Sequence, residues 1–483
     1  MHLANIQRIL GLLLFLLSGM MLLPLGVAWL YRDGQMPVFW HSLLGLLALG
    51  GLLWLPVRHR HHELRLKDAF VVVVLFWCLL GLAGAIPLLL TGHPDLLPTD
   101  ALFEAVSGVT TTGATVLSGI DRLPPSVQFY RQELQWVGGM GIIVLAVAVQ
   151  PLLGIGGIQL YRAEAPGTVK ETRLTPRIAE TARALWLIYV GLTALCALAY
   201  RYAGMEPFDA IAHSLSTISL GGFSTHDLNM GYYQNTSVEV VCVLFMLLSG
   251  LNFALHFMAL RQGSPAVYWR NAEARTFLLV ILLAAAIAVA HLYLSGTFAD
   301  FASALHYGIF QAVSIGTTAG FTTAGYAYWP GFLPVLLLFT SFIGGCAGST
   351  GGGMKVIRFL LLLRQGVREI HRLIHTNARI PVKIGRRAVS DRVVDAVWGF
   401  FATYVGVFAV MLLALMATGL DQVTAFSAVA ACINNLGPGL GEVGFTYADL
   451  SDPAKWVLIL TMLMGRMELF SVLVLLSPGF WRR

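Results

Sequence analysis

Apolar stretches near 20 residues alternate with short polar breaks along the whole chain. Two of them, residues 9–31 and 38–57, are joined by a short polar turn and precede everything that repeats. Thereafter one order recurs four times. A long apolar segment (69–90, 182–202, 276–294, 393–417) leads into a shorter helical stretch (99–109, 207–218, 301–316, 421–433). A polar, glycine-bearing window follows, and a second long apolar segment (127–153, 238–260, 331–363, 456–476) closes the unit. About 20 apolar residues suffice to cross a hydrocarbon core of about 30 Å; the shorter stretches do not. They read as half-helices that enter the membrane and turn back, and Thr99-Asp100, Pro207 and Asp421 stand at their expected starts.

The windows align glycine on glycine: Thr110-Thr111-Thr112-Gly113, Ser219-Leu220-Gly221-Gly222, Thr317-Thr318-Ala319-Gly320 and Asn434-Asn435-Leu436-Gly437. Ser107, Ser216, Ser314 and Ala431 lie three residues upstream of each. A period of roughly a hundred residues is too long for a solenoid, so each repeat is a hairpin of membrane helices. Non-helical backbone at membrane depth is tolerated only inside protein or facing a water-filled cavity. Four such loops satisfy that together by meeting on one axis, with the partly negative carbonyl ends of the half-helices turned toward it. The predicted fold is an all-α polytopic membrane protein of ten spans. Four span–half-helix–filter loop–span repeats stand in pseudo-fourfold arrangement beside an extra N-terminal helix hairpin. The expected divisions are residues 1–66 for the hairpin and 67–180, 181–270, 271–390 and 391–483 for the four pore repeats.

Composition agrees. Of 483 residues 57% are hydrophobic and 12% charged, with a mean hydropathy of +0.74; a soluble chain carries about 25% charged residues. The 31 Lys and Arg fall in segments 58–67, 162–183, 261–275 and 355–392, at Arg8 and at Arg482-Arg483, except for Arg32, Arg122, Arg131, Arg201 and Lys455 in the opposite loops and the intramembrane Arg466. The positive-inside rule then puts both termini in the cytoplasm. Acids gather on the other side, at Asp95, Asp100, Glu104, Asp121, Glu206, Asp209, Asp227, Asp300, Asp421, Glu442, Asp449 and Asp452. They form either a cation-attracting vestibule or ordinary solvated loop charge. The basic loops suit anionic lipid, so a pI near 9.1 gives no reason to invoke nucleic acid. Cys78, Cys196, Cys242, Cys346 and Cys432 show no metal-ligand or disulfide spacing and read as small buried hydrophobes. The first thirty residues read as a retained helix rather than a leader.

A monovalent cation must exchange its hydration shell for oxygens, and rings of backbone carbonyls supply them. Glycine reaches the backbone conformations that let successive carbonyls face one way. Thr, Ser and Asn leave side-chain oxygens nearby, and no window holds a carboxylate, which argues against a tight divalent site. Asn434, Asn435 and Pro438 make the fourth window chemically different.

These windows, the flank Phe223-Ser224-Thr225-His226-Asp227 and the segment from Gly344 to Lys355 resemble the TrkH/TrkG/KtrB family, potassium-uptake proteins of the superfamily of K+ transporters. The resemblance covers the whole chain, and the extra N-terminal hairpin looks like the TrkH branch. It implies K+ as the transported ion, the bacterial inner membrane, a homodimer with one pore per subunit, and a cytoplasmic TrkA-type ring that carries the regulatory nucleotide. No organic cofactor is expected on this chain.

Residues 344–353 interrupt the third closing segment with six glycines: Gly344, Gly345, Gly348, Gly351, Gly352 and Gly353, among Ser349 and Thr350 and just before Lys355. At roughly 1 kcal/mol per glycine the helix should break there, just below the third window. The resemblance implies a gating loop; the alternative is small-residue packing through Gly344 and Gly348. The stretch is not a Walker phosphate loop, because no Gly-Lys-Ser/Thr closes it, and Gly154-x-Gly156-Gly157 is equally weak as a dinucleotide fingerprint. Arg466 is a charge at membrane depth. The resemblance places it in the pore below the filter as a barrier to cations; a structural ion pair with Glu468 or another helix is the alternative. Asn252 and His256 suit interhelical hydrogen bonds. The basic stretch 364–392 reads as the longest inside connection, either a solvated loop or a docking surface. No catalytic constellation is present. Channel-like flow is the expected mechanism. A K+ symporter coupled to Na+ or H+ is the rival, with Glu468 as the only clearly intramembrane acid. A membrane enzyme would need clustered His, Cys or carboxylates.

Overall fold

The computed structural model describes residues 3–59, 66–148, 174–385, 387–467 and 469–482. Among these, the regular structure is helical apart from one small hairpin, Lys383–Ile384 paired antiparallel with Arg387–Ala388. The N-terminal hairpin packs Leu3–Met20 and Leu22–Tyr31 against Met36–Trp54.

Each repeat opens on a long apolar helix: Leu66–Leu90, Leu174–Ala203, Ala272–Leu294 and Asp391–Met416. The half-helices follow as Pro98–Val109, Pro207–Ser219, Phe301–Gly316 and Gln422–Ile433. Their starts are built in two ways. Pro98 and Pro207 occupy first positions, where a missing N–H costs nothing. Asp300 and Asp421 cap the other two, accepting from the backbone N–H of Ser303 and of Val423 and Thr424. Every residue from Phe103 to Val109 is buried. The last opening helix instead exposes Val405, Val410 and Leu413. Apolar surface thus lies on the outside and polar, irregular backbone on the inside, as a bilayer solvent demands.

The closing segments depart from expectation. The first, Pro125–Ala148, is one helix, and residues 149–153 lie outside the described residues. The other three are broken, where uninterrupted spans were expected for the second and fourth. Thr236–Gly250 bends by 96° into Phe253–Gln262. Leu333–Ile343 gives way to an irregular stretch before Val356–Ile374. Asp452–Arg466 turns by 113° into Phe470–Leu476. Six helices are by themselves long and apolar enough to cross a membrane, and the two bent pairs bring the number to eight among the described residues.

The second and third breaks explain each other. The carbonyl of Gly348 accepts from Phe253 N–H at 3.1 Å, and Cys346 N–H donates to the Gly250 carbonyl at 2.9 Å. The break in one span therefore receives the loop of the next, and each satisfies backbone groups that the other has freed. Asn252 Oδ1 caps the new helix at Ala254 N–H (2.8 Å) rather than bonding between helices, as the sequence suggested. His256 does reach another helix. Its Nε2 faces the Leu248 carbonyl at 2.9 Å and so must carry the proton, leaving Nδ1 to accept from Tyr268 Oη at 2.8 Å. Asn252→Ala is expected to lower stability by about 1 kcal/mol, read as a lower thermal unfolding midpoint of the purified protein.

The basic stretch 364–392 is not one long loop. Its first part belongs to the helix Val356–Ile374, and Arg368 ties that helix to Asp391 at the start of the last opening span (2.6 Å).

Candidate ion pathway

The four windows share one backbone course. Thr112, Gly221, Ala319 and Leu436 donate their N–H groups to Ser107, Ser216, Ser314 and Ala431 at 2.8, 2.9, 2.9 and 2.8 Å. Two residues before each shared glycine the chain turns left-handed, at Thr111, Leu220, Thr318 and Asn435 (φ 54°, 55°, 64° and 51°). It does so again at Gly113, Gly222, Gly320 and Gly437 (φ 80°, 80°, 79° and 95°). A β-branched residue such as Thr111 or Thr318 rarely adopts that conformation. Its recurrence in register marks strain that the surroundings enforce.

The windows close on one another. A Cβ added to Gly113 would stand 2.1 Å from the carbonyl oxygen of Gly221, and one on Gly222 would stand 2.2 Å from that of Ala319. From Gly320 the same test meets Leu436 O at 2.1 Å, and from Gly437 it meets Thr112 O at 2.6 Å. Each shared glycine thus packs on the carbonyl that precedes the glycine of the next window, and the fourth returns to the first. The result is a closed ring of four carbonyls, tightest at three contacts and looser at the fourth.

Most of the side-chain oxygens expected beside this ring are occupied elsewhere. The hydroxyls of Thr110, Ser219 and Thr317 turn back onto carbonyls of their own half-helices, at Val106, Leu215 and Val313 (2.7, 2.9 and 2.8 Å). Asn434 donates to Ser341 Oγ and accepts from Tyr404 Oη. Asn435 donates to Thr112 Oγ1 at 3.0 Å, stitching the fourth window to the first. The unusual asparagines therefore brace the windows. The ring is thus made of carbonyls, while the Thr111 hydroxyl is buried with no hydrogen-bond partner among the described residues.

The irregular stretch 344–355 lies against one side of the windows, and it bonds to the end of the second half-helix and to the third and fourth windows. Thr350 Oγ1 donates to Ile218 O at the end of the second half-helix (2.9 Å). Gly352 N–H donates to Thr318 Oγ1 (2.6 Å), and Gly353 N–H to Asn434 O (3.1 Å). Gly344, Gly348, Gly353 and Lys355 all have positive φ. A Cβ at Gly352 would fall 1.9 Å from Asn434 O. Gly345 and Ser349 sit at the turn beside Gly250, and Lys355 Nζ caps the carbonyl of Gly351. Arg466 is buried and donates to Thr350 O at 3.0 Å and Gly138 O at 3.2 Å. It therefore bridges the loop and the first closing helix. Glu468, its suggested partner, lies outside the described residues. A cavity lined by Gly351, Gly352, Gly353, Lys355, Asn435, Gly465 and Arg466, among others, brings loop, fourth window and arginine together.

On the other side, several expected loop charges are spent. Arg131 is a buried residue of the first closing helix, paired with Glu104 at 2.8 Å. Lys455 binds Asp100 at 2.6 Å. A vestibule can draw only on the acids that remain. His226, stacked on Tyr232 with centroids 3.5 Å apart, bridges Asp121 (2.6 Å) and Asp209 (3.1 Å). Burial opposes its charge, but the hydrogen bonds it donates to the carboxylates of Asp209 and Asp121, with their negative charge, outweigh that and raise its pKa. A raised folded-state value stabilises fully below the ordinary pKa of about 6.5, and the gain is lost as pH rises through the raised value. Wild type should therefore lose more thermal stability than His226→Asn as pH climbs from about 6 to about 9.

Sequence reasoning missed the polar row of the first closing helix. Gln135 is fully buried against the second window, and Glu133 is a buried acid within the first closing helix, so the expectation of Glu468 as the only clearly intramembrane acid is corrected. The run Gln132-Glu133-Leu134-Gln135 inside an apolar span was the available signal. Tyr447 and Asn229, which donate to the carbonyls of Gly437 (2.7 Å) and Gly222 (3.0 Å), carried no such signal.

Residues 35–482 match the TrkH family, described as cation transport proteins. The chain is 56% identical over 484 residues to the Trk system potassium uptake protein TrkH of Vibrio parahaemolyticus serotype O3:K6, covering all of both chains. It is 52% identical over 482 residues to TrkH of Escherichia coli K12, again over all of both. Identity falls to 42% over 481 residues with TrkG of Escherichia coli K12, covering 100% of this chain and 99% of that one. The crystal structure of the potassium transporter TrkH from Vibrio parahaemolyticus superimposes with a TM-score of 0.94 at 54% identity, covering all of both chains.

Proposed function

The chain belongs to the TrkH family of cation transport proteins, and on that premise we propose that it takes up K+ across the bacterial inner membrane through a channel-like filter. The observation that carries this reading is the closed ring of carbonyls at Thr112, Gly221, Ala319 and Leu436, each pressed on the glycine of a neighbouring window. Such oxygens replace the hydration shell of a monovalent cation without a fixed counter-charge. Glycines 113, 222, 320 and 437 position them.

The stretch 344–353 is the gate in this reading, and Arg466 is the barrier that both holds it and repels cations. Support comes from the loop's bonds to three half-helix ends or windows and from the hydrogen bond between Arg466 and Thr350. The four repeats, divided at the boundaries given above, act as the quarters of one pore. Both termini face the cytoplasm, and the protein forms a homodimer. A TrkA-type nucleotide-binding ring docks on the side of the basic helix Val356–Ile374, whose Arg364 and Arg372 are exposed.

The second reading is symport coupled to Na+ or H+, and the buried Glu133 is the observation that favours it. The test of K+ uptake itself is growth. Expression should restore growth at micromolar-range K+ to a bacterial strain stripped of its K+ uptake systems. Failure despite normal membrane levels and a matching regulatory partner would contradict the proposal.

A further inference from the structure

Of the four carbonyls in the ring, one is treated differently. Gln135 Nε2 donates to Gly221 O at 2.6 Å. Among the described residues no side-chain hydrogen bond reaches the other three, at Thr112, Ala319 and Leu436. The orientation of the amide is fixed by its other partners. The backbone N–H of Phe223 can only donate, and it points at Gln135 Oε1 (3.1 Å), which also accepts from Ser216 Oγ (2.6 Å). The nitrogen is therefore the atom that faces Gly221. The fit leaves no room for a side chain at position 221, where a Cβ would fall 2.3 Å from Gln135 Cδ.

We propose that Gln135 is a positioning residue for ion discrimination, tethering the second window's carbonyl so that the ring cannot contract around an ion smaller than K+. This rests on the filter reading above. A cation smaller than K+ is held well only if carbonyls move inward to meet it. Gly221 has no side chain of its own to resist that movement. A buried amide hydrogen bond does resist it, because breaking the bond strands a donor away from water. The same bond draws on a lone pair that an ion would otherwise use, so the ring holds K+ with three free oxygens and one shared. Loose holding of this kind favours release as well as entry.

The experiment compares K+ and Na+ flux into sealed liposomes for the purified full chain and two variants. Wild type must first prefer K+; if it does not, the filter reading fails and Gln135 is not at issue. Gln135→Met keeps length and burial but removes all three bonds. The K+ over Na+ flux ratio is expected to fall about tenfold, through a rise in Na+ flux with K+ flux largely kept. Ser216→Ala removes one bond of the brace and should shift the ratio the same way by less. Should Gln135→Met fail to purify folded, Ser216→Ala decides alone. An unchanged ratio in a folded variant, or an equal loss of both fluxes, overturns the proposal.

Discussion

Gly320→Ala is expected to cut the preference for K+ over Na+ by at least about tenfold, the equivalent of about 1.4 kcal/mol. Two costs combine. Position 320 has φ +79°, a conformation that costs an L-residue about 1–2 kcal/mol. The added methyl would also stand 2.1 Å from Leu436 O and 3.0 Å from Pro438 Cδ. Neither obstacle is the free end of a flexible side chain. The methyl must displace a ring carbonyl of the next window, so the damage passes to the oxygens themselves. The same reasoning covers Gly113 and Gly222, whose contacts at 2.1 and 2.2 Å are of the same kind. Gly437 has more room, 2.6 Å to Thr112 O, so Gly437→Ala should cost less than the other three. The check is the ratio of K+ to Na+ flux for all four variants. Equal ratios in wild type and Gly320→Ala would remove the ring from the account.

The second large effect belongs to Arg466. Arg466→Met should raise cation flux of the protein without its regulatory partner several-fold. Desolvation of a guanidinium is costly, and this one is buried, donating to the carbonyls of Thr350 and Gly138 and lying 5.7 Å from the centre of the Trp77 ring, with no carboxylate partner among the described residues. It lines the cavity beside Asn435, and in the proposed reading its charge there opposes the entry of any cation. Removing it takes away the repulsion and also one anchor of the 344–353 loop. Methionine fills much of the volume, which limits the packing loss. Flux equal to or below wild type, in a variant with an unchanged thermal unfolding midpoint, would show that the arginine is structural.

Much of this design was legible in the sequence, and the reason is periodicity. The half-helices could be bounded to within a residue or so because their ends are marked, by Thr99-Asp100, Pro207 and Asp421, and by glycines that had to recur. The break at 344–353 was legible because six glycines in one span cannot all be helical. The break after Gly250 was not. It contains no such run, and it exists because the loop of another repeat inserts there, a contact across about a hundred residues. The fate of the window side chains was equally hidden. Nothing in the order Thr-Thr-Thr-Gly says that Thr110 turns back to Val106, or that Asn434 binds Ser341 and Tyr404. Arg131 and Lys455 were counted as loop charges because pairing with Glu104 and Asp100 is a property of packing, not of spacing.

Ion flux into sealed liposomes that hold only the purified protein, under a K+ gradient with no Na+ or H+ gradient, separates channel-like flow from coupled transport. Through a carbonyl filter, K+ is expected to move downhill without a second ion and faster than Na+ does under the same gradient. K+ movement only when a Na+ or H+ gradient is supplied would contradict it, establish coupled symport, and make Glu133 the first residue to replace.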